Sequence, residues 1–240
     1  MNNLKNKTIA DFVVDNIAAA DVFKKYGINY SYKGTLSLSN FCRKKHLKYE
    51  EILDELNAIK TKVPYLKNYN AWDLELLINF LVEIDHPFKL ENINFIKNLG
   101  IKIQKIYGEK LDEIPKIMNS IQQISDIIET HIKIEESFLF PYILNLNAYL
   151  KERKNPKLQK PQLINPLKNM EKDHTEICKL WKRIATQTNN YQLHEDIDSN
   201  FKLLYYKLRQ FEEKLHTHIH IENNILFPKA LEMEKLILES

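Results

Sequence analysis

Glycine and cysteine are scarce in this chain. Four glycines among 240 residues leave few places for the tight turns of a sheet-rich fold. Two cysteines, Cys42 and Cys178, make no disulfide framework, and a reducing compartment is the simplest reading. Long apolar runs are missing too. The longest, Leu76 to Val82, is broken by Asn79 and falls well short of the roughly 20 residues that span a bilayer. The opening Met-Asn-Asn-Leu-Lys-Asn-Lys has no apolar signal core. A cytoplasmic protein with no membrane attachment is expected. The net charge is only +3 and the lysines are scattered, so no nucleic acid partner is expected either.

What is abundant favours helices: Lys, Leu, Ile, Glu and Asn dominate. The expected fold class is all-α, with a small N-terminal helical domain at 1–60, a linker at 61–70 and a four-helix bundle at 71–240. In the first unit, Thr8 with Asp11 reads as a helix start. A second run, Ala18 to Tyr26, ends where Gly27 can cap it. Ser37 or Ser39 can cap a third helix through Cys42. Ile52, Leu53, Leu56 and Ile59 give a fourth helix one buried face. Pro64 disrupts any helix in the linker. The bundle helices are expected near 71–107, 111–138, 167–186 and 194–224. Gly108 turns the first hairpin, Asn189 and Asn190 open the second, and a polar stretch from Lys151 to Pro166 joins the two. Pro87 is read as a kink, Pro141 as an end or kink, and Pro228 as a stop followed by a short tail helix.

The chain also says one thing twice. Residues 130–141 read Thr-His-Ile-Lys-Ile-Glu-Glu-Ser-Phe-Leu-Phe-Pro, and residues 217–228 read Thr-His-Ile-His-Ile-Glu-Asn-Asn-Ile-Leu-Phe-Pro, identical at eight of twelve positions. Asp85-His86 and Asp173-His174 precede the two copies at intervals equal to within one residue. Two helical hairpins facing across a pseudo-twofold axis are implied. Positions i and i+4 share a helix face, so His131 with Glu135, and His218 with Glu222, each offer an imidazole and a carboxylate to the centre. His86 and His174 complete four nitrogens and two carboxylates. Six donors exceed what one structural zinc takes and suit two ions bridged by the glutamates. Nitrogen and oxygen donors without thiolate suit iron or manganese and admit zinc.

A lone His-x-x-x-Glu is usually a surface pair. Here Ile132, Ile134, Phe138 and Leu139 surround one copy, and Ile219, Ile221, Ile225 and Leu226 the other. Burying two carboxylates without a cation costs several kcal/mol each, on the order of the penalty for a buried ion. His216 and His220 lie about 200° from His218 on the helix and should point away, as supporting or exposed groups. Asp85 and Asp173 either hydrogen-bond imidazoles on neighbouring helices or face solvent. Tyr205 and Tyr206 read as packing residues, Cys178 as a buried inert thiol, and His46 and His194 as non-ligating.

At these residues the sequence resembles the iron–sulfur cluster repair di-iron proteins, the repair-of-iron-centres family, over nearly its whole length. Thr8-Ile-Ala-Asp-Phe, Phe23-Lys-Lys-Tyr-Gly-Ile-Asn and Asn40-Phe-Cys are similar to the family's N-terminal domain. The two repeat copies closely match its hemerythrin-like domain. The resemblance implies two iron ions in a non-haem centre, bridged by an oxo or hydroxo group and by Glu135 and Glu222, with His86, His131, His174 and His218 as the remaining ligands. It implies damaged iron–sulfur proteins as partners, nitric oxide or oxygen as small ligands, and a role in restoring clusters by iron donation or nitric oxide chemistry. Members can be homodimers. One departure stands out: the family's adjacent cysteines are replaced by Ser31-Tyr32, so a thiol role for that pair has no residues to carry it.

Two other readings compete. A hemerythrin-like oxygen or nitric oxide binding or sensing protein usually adds a fifth histidine and a His-x-x-x-x-Asp pair; here Glu222 stands at the fourth place and Asn223 at the fifth. A structural bundle or adaptor with adventitious metal would hold it weakly and below stoichiometry.

Overall fold

A computed structural model describes residues 6–31, 34–60, 68–107, 112–152, 161–193 and 198–239. The expected turn at Gly108, most of the linker, Tyr32 and His194 lie outside these residues. Among the described residues the fold is all-helical apart from one isolated bridge between Thr8 and Ser37. No described helix is long and apolar enough to cross a membrane.

The N-terminal helices are α1 (Ile9–Asp15), α2 (Ala19–Lys25), α3 (Leu38–Lys45) and α4 (Tyr49–Lys60). Thr8 and Asp11 exchange side-chain and backbone hydrogen bonds at the start of α1, the reciprocal box expected of that pair. Ser37, not Ser39, caps α3. Gly27 adopts φ 65° after α2, a left-handed conformation that a Cβ would strain. Ile9, Phe12, Phe23, Leu38, Ile52 and Leu56 close a small core of this unit.

The chain stays helical past each proline of the bundle: Pro87 lies within a helix, as expected, and Pro141 and Pro228 do not end theirs. After a 3-10 turn (Tyr69–Ala71), Asp73 caps α5 (Leu74–Phe80). A wide turn, Leu81–Asp85, leads into α6 (His86–Tyr107). Helix α7 (Glu113–Ile134) passes through a wide turn, Glu135–Leu139, into α8 (Phe140–Glu152). Helix α9 is Ile164–Gln187. Helix α10 (Ser199–Ile221) passes through Glu222–Leu226 into α11 (Phe227–Glu239). In each wide turn an N–H reaches five residues back: His86 to Leu81, Phe140 to Glu135, Phe227 to Glu222. The next residue is Pro87, Pro141 or Pro228. A proline ring donates nothing and collides with the carbonyl four residues earlier. Widening the ladder just before it accommodates the ring, and the helix continues.

Helix α6 packs on α7 and α10, and α7 packs also on α9. Their apolar stripes, such as Ile114, Ile117, Ile121, Ile124 and Ile128 on α7, recur every three or four residues and build a first core with Trp181, Leu208 and Phe211. Each fully buried isoleucine contributes roughly 1.5–3 kcal/mol. A second core forms beyond the wide turns from Leu77, Leu81, Leu139, Ile143, Leu226 and Phe227. Buried Glu234 on α11 accepts from the backbone N–H groups of Gln162 and Leu163 and from the Tyr142 hydroxyl, tying the last helix to the start of α9.

Candidate metal centre

Between the two cores lies a polar layer. His131, Glu135, His174, His218 and Glu222 are all buried, and each contributes a ligand-type atom within 4.8 Å of every other. His86 stands at the edge of the group, its Nε2 3.4 Å from Glu135 Oε2. The structure therefore brings together all six residues singled out from the sequence. Nε2 of His131 is 3.1 Å from Glu135 Oε1, and Nε2 of His174 and His218 are 3.0 and 3.3 Å from Glu222 Oε2.

Every imidazole is held from behind through Nδ1. Glu136 Oε1 is 2.8 Å from His86, Asp173 Oδ2 3.3 Å from His131, Asn223 Oδ1 2.9 Å from His174 and Asp85 Oδ2 2.7 Å from His218. Each of these clamps adjoins one of the six inward-facing residues in sequence and crosses to another helix. Together they close a ring: the turn after α7 holds α6, α9 holds α7, the turn after α10 holds α9, and the turn before α6 holds α10. Asp85 and Asp173 thus take the first of the two roles open to them. Glu136 and Asn223 were not anticipated, although both directly follow a repeat glutamate and occupy the same position of the repeat.

This arrangement sets up a conflict that a cation resolves. Acceptors on Nδ1 keep the proton there and turn the Nε2 lone pairs inward. The inward nitrogens then face carboxylate lone pairs, and His131 Nε2 faces His174 Nε2 at 3.0 Å. All four oxygens of Glu135 and Glu222, and His86 Nε2, lack a hydrogen-bond partner among the described residues. Acceptors facing acceptors in a buried layer fit bound cations.

The electrostatics agree. Burial, then the charge of Glu222, pushes the Glu135 carboxyl up to about 7. Burial opposes ionisation of Glu222 as well, but the neighbouring imidazoles, His218 first and then His131 and His174, hold it well below the usual carboxylate range. Burial disfavours charge on His131, yet Glu135 and Asp173 outweigh it and raise that imidazole well above its usual range. Burial pushes His218 down to about 4. Lys89, fully buried one turn after His86, donates to Asp85. Burial resists the charge on Asp85, but Lys89 and His218 hold it well below the usual carboxylate range. No sequence signal distinguished Lys89 from the surface lysines.

The remaining candidates fall elsewhere. His216 and His220 point away from the cluster, as expected, but into the N-terminal unit rather than solvent. His216 Nδ1 is 3.0 Å from Ser31 Oγ, and the Tyr30 ring lies 5.8 Å from that of His220. Cys178 is buried, and burial pushes its thiol up to about 12. Tyr205 packs in the first core, Tyr206 is exposed and His46 is an exposed left-handed cap of α3. Ile134 and Phe138, apolar neighbours of the first copy, are exposed, whereas their repeat counterparts Ile221 and Ile225 are covered.

A helical bundle carrying inward histidines and glutamates at mid-height defines a hemerythrin-like protein. Residues 85–230 match the model of the hemerythrin HHE cation binding domain, and residues 5–60 match a domain of unknown function, DUF542. The chain belongs to the hemerythrin HHE cation-binding family. It is similar to proteins named iron–sulfur cluster repair protein. Identity is 24% over 221 residues to ScdA of Staphylococcus haemolyticus, covering 92% of this chain and 96% of the relative. It is 26% over 228 residues to ScdA of Staphylococcus epidermidis, covering 94% and 98%. It is 24% over 228 residues to YtfE of Escherichia coli O8, covering 95% and 97%.

Proposed function

We propose that this chain is a di-iron protein that restores iron–sulfur clusters damaged by nitric oxide or oxidants. The two units, 1–60 and 71–240, act together, since relatives named for cluster repair align with both. The observation that carries the metal reading is the set of acceptor atoms left without donors in the buried layer. In this reading His131 and His174 serve one iron, His86 and His218 the other, and Glu135 and Glu222 bridge them. Bound there, iron supplies an exchangeable store and two adjacent positions for nitric oxide. The chain's own part is to fix the imidazole tautomers through the four clamps and to exclude water with the two flanking cores.

The test is iron delivery. Iron-loaded protein is mixed with an apo iron–sulfur protein, sulfide and a reductant, and cluster formation is followed by absorption. Wild type should support assembly, and the Glu135→Ala/Glu222→Ala protein should not. Equal assembly by both would sink the reading. Reversible oxygen carriage is the competing reading. It is disfavoured by Asn223, at the place of the carriers' aspartate, which turns outward to His174. A stable, reversible oxygen adduct of the reduced protein would reinstate it.

A further inference from the structure

The repeat gives Glu136 and Asn223 the same place, yet the two clamps are built differently. Glu136 is a carboxylate, 42% exposed at its side chain, behind His86. Asn223 is an amide caught between two partners. Its Oδ1 lies 2.9 Å from His174 Nδ1, and its Nδ2 donates to the Ser31 carbonyl at 3.3 Å. The next position diverges in the same sense. Ser137 bonds back to the Lys133 carbonyl of its own helix, while Asn224 donates to the Tyr30 carbonyl at 3.2 Å. Two successive amides of one wide turn therefore hold two successive carbonyls of the N-terminal unit. The Tyr30 ring, 6.0 Å from that of His216 and 5.8 Å from that of His220, the Ser31 hydroxyl on His216 and the Lys24–Glu213 ion pair add to the contact.

A carboxylate can only accept, so Asp85, Glu136 and Asp173 each fix one imidazole tautomer unaided. An amide can present either end. Only the anchoring of Asn223 Nδ2 on Ser31 keeps Oδ1 turned to His174. Without that anchor the amide can flip and donate to Nδ1. That places the histidine proton on Nε2, where it blocks coordination.

We propose that the N-terminal unit is a latch on one half of the metal pair: the Ser31 carbonyl, through Asn223, holds His174 competent to bind, and undocking empties the His131–His174 position first. This rests on the di-iron reading above. The departure of the family's cysteine pair does not weaken it, because the contact is made by backbone carbonyls.

The experiment loads the full chain with ferrous iron and follows its release to an excess of ferrous chelator. In a Tyr30→Ala/Asn224→Ala variant, which alters docking but no clamp, one of two irons should leave about 10-fold faster or more, the other unchanged. Adding Asn223→Asp, an acceptor that cannot flip, should restore slow release even though the unit stays undocked. Ser137→Ala, at the place equivalent to Asn224, should change neither rate. A second readout needs no metal: amide exchange at residues 28–31 of the metal-free chain should quicken in Asn223→Ala while α1 stays protected. That readout also serves if the double variant folds poorly. Unchanged release from the docking variant, or unchanged exchange in Asn223→Ala, overturns the latch while leaving the di-iron reading intact. A wild-type chain that retains no stoichiometric iron overturns both.

Discussion

The carboxylate of Asp85 stands between two buried groups: it accepts from the Lys89 ammonium one turn along its own helix, and its Oδ2 lies 2.7 Å from His218 Nδ1, 133 residues further along the chain. It neutralises one and orients the other.

Asp85→Asn should therefore do two separable things. It leaves Lys89 a buried charge without a counterion, which should destabilise the metal-free protein by about 3–5 kcal/mol in urea unfolding. It also frees the His218 tautomer, which should weaken iron binding by about 10–100-fold in chelator competition. Adding Lys89→Met should recover most of the stability and none of the affinity. Joint recovery of both would mean that Asp85 serves packing alone.

Replacing the two glutamates tests whether the layer is built for a cation or for its own ion pairs. Glu135→Gln/Glu222→Gln removes charges that lack donors. The metal-free double variant should melt at or above the temperature of the metal-free wild type. Iron should raise the melting temperature of wild type only, as expected for a ligand that binds the folded state. A double variant far less stable than the metal-free wild type would mark the carboxylates as structural.

Metal uptake should depend on pH near neutrality. Burial, then Glu222, lifts Glu135 to about 7 in the metal-free protein. Iron needs the carboxylate, so apparent affinity should climb as pH rises through about 7. Uptake at pH 7 should release protons from Glu135. Calorimetry in two buffers of different ionisation enthalpy measures that release. Affinity that stays flat between pH 6 and 8 would contradict it.

Docking of the N-terminal unit should respond to acid in the opposite range. Burial, and for His216 also the charge of Lys24, lowers His216 and His220 to about 4. The docked state thus favours neutral rings. Their contribution is complete above pH 6.5 and is lost as pH falls toward 4. Amide protection at residues 28–31 should decline over that window once intrinsic exchange rates are corrected. His216→Asn/His220→Asn should flatten the decline.

Much of this was legible because the chain repeats itself. Two copies of one twelve-residue segment, each preceded by Asp-His, were enough to bring six donors to one level of an all-helical bundle, where the structure also assembles them. The same repeat carried the clamp positions, but Glu136 and Asn223 differ in chemistry, so comparing residue types alone passed over them. Lys89 and Glu234 could not be recognised, since burial of a single charged residue depends on contacts distant in sequence. Pro87 was read as a kink within a helix and Pro141 as an end or a kink, and only Pro228 was read as a stop. A proline normally breaks the hydrogen-bond ladder, and nothing local shows that a wide turn has made room for it. Ile134 and Phe138 read as apolar neighbours of the first copy just as Ile221 and Ile225 do of the second, yet only the second copy lies beneath the N-terminal unit.

The polar layer has a consequence for how the bundle holds together. It separates the isoleucine-rich core below from the Leu- and Phe-rich core above, and His86 and His174 meet the upper core by stacking on Phe140 and Phe227. The helical backbones cross that boundary through wide turns in three of four places. Ions bridging the layer would make the two halves one cooperative unit. Stripped of them, the protein becomes two apolar blocks joined by like-natured acceptors, and its melting should broaden before its helices are lost.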